Sequence, residues 1–175
     1  MMKMTELIGH ELRWVQPRAM KMEFELRTGD IIAATLRFRS IFGTFATAAS
    51  ADGSWTFKDV GFWQNKLNVF VSGAETDLAV FTSNKGTLEL PDGRKYLYNG
   101  SRWPSQYEFN TETGDALISY RKLGGKLQGM LHLSYGVEIH ALAKEVPEMP
   151  WMVSLGLYVM IQWIRASSSS SSGSV

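Results

Sequence analysis

The side chains with most chemistry to offer in this chain are its clustered cations. Arg37 and Arg39 stand two apart, so in a strand both project from one face. Arg121, Lys122 and Lys126 gather around the turn residues Gly124-Gly125, Arg94 and Lys95 flank another turn, and Arg102 stands beside Trp103. Guanidinium and ammonium groups that converge at one end of a domain can grip a phosphorylated headgroup by charge-assisted hydrogen bonds. Arg37, Arg39, Arg121, Lys122 and Lys126 are therefore the candidate ligand-binding set. The competing reading makes them solvated strand faces, balanced by Glu23, Glu25 and Glu108.

Other chemistry is sparse. His132 and His140 fall on neighbouring strands and could begin a metal site, but no third ligand stands at a motif spacing. No metal or other cofactor is expected. Asp30, Asp52, Asp92 and Asp115 each adjoin a glycine, where aspartate hydrogen-bonds its own backbone in a turn. Lys122-Leu-Gly-Gly-Lys126 has the flavour of a phosphate loop but reads as a plain β-turn. No catalytic residue is nominated, and the chain is not expected to be an enzyme.

One stretch must organise the rest: Pro147 to Arg165, PEMPWMVSLGLYVMIQWIR. Pro147 and Pro150 suit a helix start, where a missing N–H costs nothing. Glu148 and Arg165 complement the two ends of the helix dipole. From Trp151 to Ile164 only Ser154 and Gln162 are clearly polar, so the helix belongs in a core or a membrane. Those 14 residues span roughly 21 Å, against about 30 Å of bilayer hydrocarbon, which favours a buried helix. The alternative is an anchor, with Trp151, Tyr158 and Trp163 near the headgroups. Ser154, Tyr158 and Gln162 are four apart and share one face. That polar seam either meets strand residues and fixes the helix rotation, or lines a small internal pocket.

The chain has 175 residues, a net charge of +1 and no cysteine. The length suits one domain. No global field draws it to nucleic acid, and none is expected as a partner. Disulfides and thiolate chemistry are excluded. Absent cysteine fits a cytoplasmic protein, and MMKMTELIGHELRW has charges where a secretion signal needs an apolar run. We expect residues 1–10 to be a short helix or loose lead, 11–165 the domain, and 166–175, ASSSSSSGSV, a disordered tail.

Elsewhere the period is two. Met20, Met22, Phe24 and Leu26 alternate with charged residues, Thr28-Gly29-Asp30 turns, and Ile32, Ala34, Leu36 and Phe38 alternate again. Further short strands are expected over 43–50, 55–61, 67–71, 78–83, 87–90, 95–98, 106–109, 116–120, 127–133 and 137–142. About a dozen strands separated by turn signals argue for an all-β sandwich or barrel. A closed antiparallel barrel suits them, since about eight strands fill themselves and a dozen leave room for an apolar rod. The expected fold is a closed barrel of about twelve strands wrapped around the C-terminal helix, at about residues 150–165.

A long run of short strands closed by Pro150-Trp151 and Gly156-Leu157-Tyr158 resembles the tubby C-terminal domain superfamily. That group includes the plant LURP-one-related proteins and the phospholipid scramblases. Leu90-Pro-Asp-Gly93 and Tyr107-Glu-Phe-Asn-Thr-Glu-Thr-Gly114 add to the likeness, which covers most of residues 11–165. The resemblance implies a twelve-stranded barrel around a central helix, and membrane or phosphoinositide association as found in parts of the group. The chain departs from the scramblases in having no cysteine-rich palmitoylation segment and no calcium-loop pattern. The functional expectation is a non-enzymatic module that binds a phosphoinositide-like headgroup or a protein partner through one barrel end, cytoplasmic and peripheral to a membrane. The alternatives are a small hydrophobic-ligand carrier, with its pocket between barrel and helix, and attachment to the membrane by the helix.

Overall fold

The alternation of apolar and polar residues becomes one continuous wall. The computed structural model describes residues 1–19, 21–60, 65–101, 105–123 and 134–169. Among them, twelve antiparallel strands form a closed barrel. They are β1 (Leu12–Val15), β2 (Glu23–Thr28), β3 (Ile31–Phe38), β4 (Ala46–Ser50), β5 (Gly53–Asp59), β6 (Lys66–Val71), β7 (Asp77–Thr82), β8 (Thr87–Glu89), β9 (Lys95–Ser101), β10 (Gln106–Thr111), β11 (Ala116–Lys122) and β12 (Ser134–Ile139). Each strand pairs with its sequence neighbour, and β1 closes the ring on β12, with Leu12 opposite Val137 and Val15 opposite Ser134. Closure leaves no sheet edge to recruit another chain.

The helix α1 (Met149–Ser169) runs up the barrel. Every residue from Trp151 to Ile161 is buried, which explains why its apolar character goes all the way round. Inward residues of the wall, among them Phe24, Phe57, Phe81, Tyr98, Phe109 and Tyr120, fill the space between wall and rod. Gly156 lets the wall come close: a Cβ there would collide with the Tyr120 ring. The Tyr120 hydroxyl donates to the carbonyls of Met152 and Val153 (3.1 and 2.9 Å), and that of Tyr98 to Gly156 (2.8 Å).

Two 3-10 turns, Met4–Leu7 and Ala141–Glu145, close the end where α1 begins. Met4 and Leu7 are fully buried, and the Met4 N–H donates to the Asp52 carboxylate (2.8 Å). Residues 4–7 are thus part of the core rather than a loose lead. We call this end the floor and the end where α1 leaves the mouth.

The structure corrects the expected elements in three places. β1 is a strand that the alternation missed, because four residues before Gln16-Pro17 are too few to show a period. β11 pairs directly with β12, with Tyr120 opposite Val137, and the strand expected over 127–133 lies entirely outside the described residues. The strand expected from Gly43 starts at Ala46, and residues 39–45 form a loop. The helix spans Met149–Ser169 rather than 150–165, so residues 166–169 of the expected tail are helical. Each residue added to a formed helix gains a hydrogen bond at little cost, and the Ser167 hydroxyl donates to the Ile164 carbonyl (2.8 Å).

Candidate functional site

In a meander, successive connections go to opposite ends. The hairpin turns after β2, β4, β6, β8 and β10 therefore lie on the floor, and the connections after β1, β3, β5, β7, β9 and β11 lie at the mouth. The pairing registers agree. Glu23 faces Arg37, Asp59 faces Leu67, Lys66 faces Thr82, Gln106 faces Ser101 and Arg121, and Lys122 faces Tyr135, all at the mouth.

This topology sorts the charges. Taking the connections and the two outermost residues of each strand, the mouth carries Arg18, Lys21, Arg37, Arg39, Lys58, Lys66, Lys85, Arg121, Lys122 and Arg165 among the described residues. Against these ten cations stand two carboxylates, Glu23 and Asp59. The floor is the reverse, with thirteen carboxylates and six cations. A net charge of +1 hides a molecule with one basic and one acidic end.

The residues singled out in the sequence are distributed as follows. Arg37 and Arg39 on one side, and Arg121 and Lys122 on the other, share the mouth but not a single cluster, because β12, β1 and β2 lie between β11 and β3. Arg37 and Arg121 point outward from the wall. Arg39 lies in the β3–β4 loop, 6.0 Å from the centre of the Phe45 ring. Lys126, Arg102, Trp103 and His132 lie outside the described residues. Arg94 and Lys95 belong to the floor. There the Arg94 guanidinium is engaged with Asp92 (2.7 Å) and Glu148 (2.7 Å).

The helix seam divides its work. Ser154 is buried deep in the barrel. Tyr158 and Gln162 line a cavity of about 60 Å³ at the mouth, shared with Asp59, Leu67, Ser83 and Val159. Ligand pockets run to about 300–1,000 Å³, so this one has room for a few waters and no organic ligand. Burial first, and the nearby Asp59 charge second, push the Tyr158 phenol well above its ordinary range. Partial burial likewise raises the Asp59 carboxyl, partly offset by the Val60 N–H.

Sequence reasoning missed the way the β3–β4 loop is held. The Tyr158 hydroxyl donates to the Thr44 carbonyl, and the Arg165 guanidinium to the carbonyls of Ile41 (2.6 Å) and Gly43 (3.1 Å). Arg165 also lies over the Phe38 ring, 4.9 Å from its centre, and Phe38 stacks on Tyr158 at 5.3 Å. Burial lowers the Arg165 pKa from its ordinary value, with the Tyr158 charge opposing.

A second constellation sits on the outer wall. Ser119 Oγ lies 2.8 Å from His140 Nε2, and His140 Nδ1 lies 3.8 Å from the Glu138 carboxylate. The order matches a nucleophile, a base and an orienting acid. Ser119 is flanked across the strands by Glu108 and Glu138, however, and two carboxylates would oppose the oxyanion that such chemistry must stabilise. Among the described residues, no three His, Asp or Glu side chains gather as a metal site, and no helix is long and apolar enough to cross a membrane.

No protein-family model matches the chain, and no curated protein does. The fold is similar to a solved structure of a protein from Arabidopsis thaliana, with a TM-score of 0.60 and 12% sequence identity over 90% of this chain and 93% of that one. At this identity the likeness is one of fold: a closed twelve-stranded antiparallel barrel with a single C-terminal helix.

Proposed function

We propose that this chain is a non-enzymatic, tubby-like β-barrel whose mouth binds a phosphorylated, phosphoinositide-like headgroup, as a cytoplasmic protein peripheral to a membrane. The observation that carries this reading is the sorting of charge, ten cations against two carboxylates at one end. Like charges held within about a Debye length of one another, about 8–10 Å at ordinary salt, stay together only at a cost, which an anionic partner relieves. Each Lys or Arg near an anionic membrane surface is worth about 1 kcal/mol.

A protein partner with an acidic face is the second reading, favoured by the same charges. For carriage of a hydrophobic molecule between barrel and helix the 60 Å³ cavity is too small, and the larger space there, about 390 Å³ between Gly100, Ser101 and Tyr107 of the wall and Trp163, Ile164, Ala166 and Ser167 of α1, is a groove open to solvent at the mouth. Anchoring by α1 would require drawing the buried run Trp151 to Ile161 out of the core.

Co-sedimentation with vesicles of neutral lipid, with and without a phosphoinositide, at low and high salt, tests the headgroup reading. We expect binding only with the anionic lipid, lost at high salt. Reversal of two mouth cations, Arg37→Glu with Arg39→Glu, should weaken binding by about 30-fold or more, and Lys95→Glu on the floor should not. Binding that ignores the charge of the mouth would sink the proposal, and no binding at all would turn the search to an acidic protein.

A further inference from the structure

We infer that Ile41 and Phe42, at the tip of the β3–β4 loop, form a wedge that enters an anionic bilayer when the basic mouth docks on it. This rests on the headgroup reading and adds to it: the ligand must be part of a membrane, not a free phosphate. Phe42 is 89% exposed and Ile41 47% exposed, and Phe42 is much the most exposed large apolar side chain among the described residues. They are the two central residues of a turn closed by the Gly43 N–H on the Ser40 carbonyl (3.3 Å), so they form the apex of the loop.

The exposure is built in. Three donors from α1 hold this loop by its backbone: Arg165 takes the carbonyls of Ile41 and Gly43, and Tyr158 takes that of Thr44. A loop whose carbonyls are drawn toward the helix turns its side chains away from it. A chain hiding an aromatic residue would fold it back on the wall, where Phe38 is already stacked on Tyr158. Here the aromatic is held out, and the surface around it is cationic: Arg37 and Arg39 lead into the loop, and Arg165 lies beneath its apex. An apolar tip ringed by cations complements a bilayer interface, where phosphates lie above hydrocarbon. A soluble phosphate matches the cations but gives Phe42 nothing to enter.

The absence of cysteine allows a direct test. Phe42→Cys, labelled with an environment-sensitive dye, is mixed with vesicles of phosphatidylcholine containing a phosphoinositide. Leu142→Cys, on an exposed residue of the floor, is the control. We expect the Phe42 label to brighten several-fold and shift to the blue, the floor label to stay unchanged, and soluble inositol trisphosphate to move neither. Unlabelled Phe42→Ser should bind these vesicles roughly tenfold more weakly than the parent, from the loss of one buried aromatic side chain. If the parent protein sediments with the vesicles while the Phe42 label stays silent and Phe42→Ser binds equally well, the wedge is refuted and the headgroup reading survives. If the parent does not sediment with them, both fall.

Discussion

Glu148 shows how much one residue does at the floor. Its carboxylate sits at the start of α1, where the first helical N–H groups are positive, and is itself almost fully buried. It accepts from Arg94 Nη1 (3.2 Å), Arg94 Nη2 (2.7 Å) and the Tyr96 hydroxyl (3.1 Å). Its own carbonyl accepts from Trp151 and Met152, so its backbone belongs to the first turn of the helix while its side chain holds the β8–β9 hairpin. The forked Arg94 contact fixes direction as well as distance. Tyr96→Phe removes one donor to a charged acceptor, together with the acceptor of a longer hydrogen bond from Arg94 Nη1 (3.3 Å). We expect a loss of about 1–2 kcal/mol in urea unfolding, with the slope unchanged. An unchanged midpoint would mean that the Arg94 fork holds Glu148 alone. The sequence placed Glu148 near the positive end of a helix, but no spacing rule could join it to Arg94, 54 positions away.

At the scale of elements, α1 decides the fold, and Gly156 is its most constrained point. Glycine inside a helix is worth about 1 kcal/mol less than alanine, so on propensity alone Gly156→Ala should stabilise. Packing argues the other way, because the new methyl would meet the Tyr120 ring, which is tied by its hydroxyl to Met152 and Val153 on the same helix. Overpacking of this kind costs about 1–3 kcal/mol, so after the gain in propensity we expect a net loss of up to about 2 kcal/mol and a lower melting temperature. A more stable Gly156→Ala would show that the wall yields there. The helix and the long strands were legible because burial on one face of a strand, or all round a rod, writes a period into the residues. β1 was too short to carry one. The β3–β4 loop was read as the start of a strand because Gly43, Thr44 and Phe45 look like small and apolar strand residues. Nothing local records that Arg165, 122 residues later, takes the Gly43 carbonyl.

At the scale of the whole molecule, turn chemistry and topology together make the charge asymmetry. Tight hairpin turns favour Asp and Gly, and the pairs Gly29-Asp30, Asp52-Gly53, Asp92-Gly93 and Gly114-Asp115 all fall on the floor, because every second connection of a meander lies at one end. Charge by end was therefore within reach of the sequence once the strands were counted correctly. Counting 127–133 as a wall strand breaks the alternation just before the helix. The same closed wall encloses phenols. Burial raises Tyr96, Tyr98, Tyr120 and Tyr158, and brings Tyr135 to about 12. A raised phenol pKa means that the folded state keeps protons which the unfolded chain releases above about pH 10. Stability from these groups is intact below pH 10 and is lost as pH rises through the folded values. Each phenol contributes up to about 1.4 kcal/mol per pH unit, and a domain has about 5–15 kcal/mol in all. Several phenols acting together should exhaust that within two or three units. We expect phenolate absorbance to rise in one steep step near or above pH 12, together with the loss of β-sheet circular dichroism. A gradual titration centred near pH 10, with the sheet signal intact, would mean that the hydroxyls of Tyr98 and Tyr120 reach water and do not bind the carbonyls of α1.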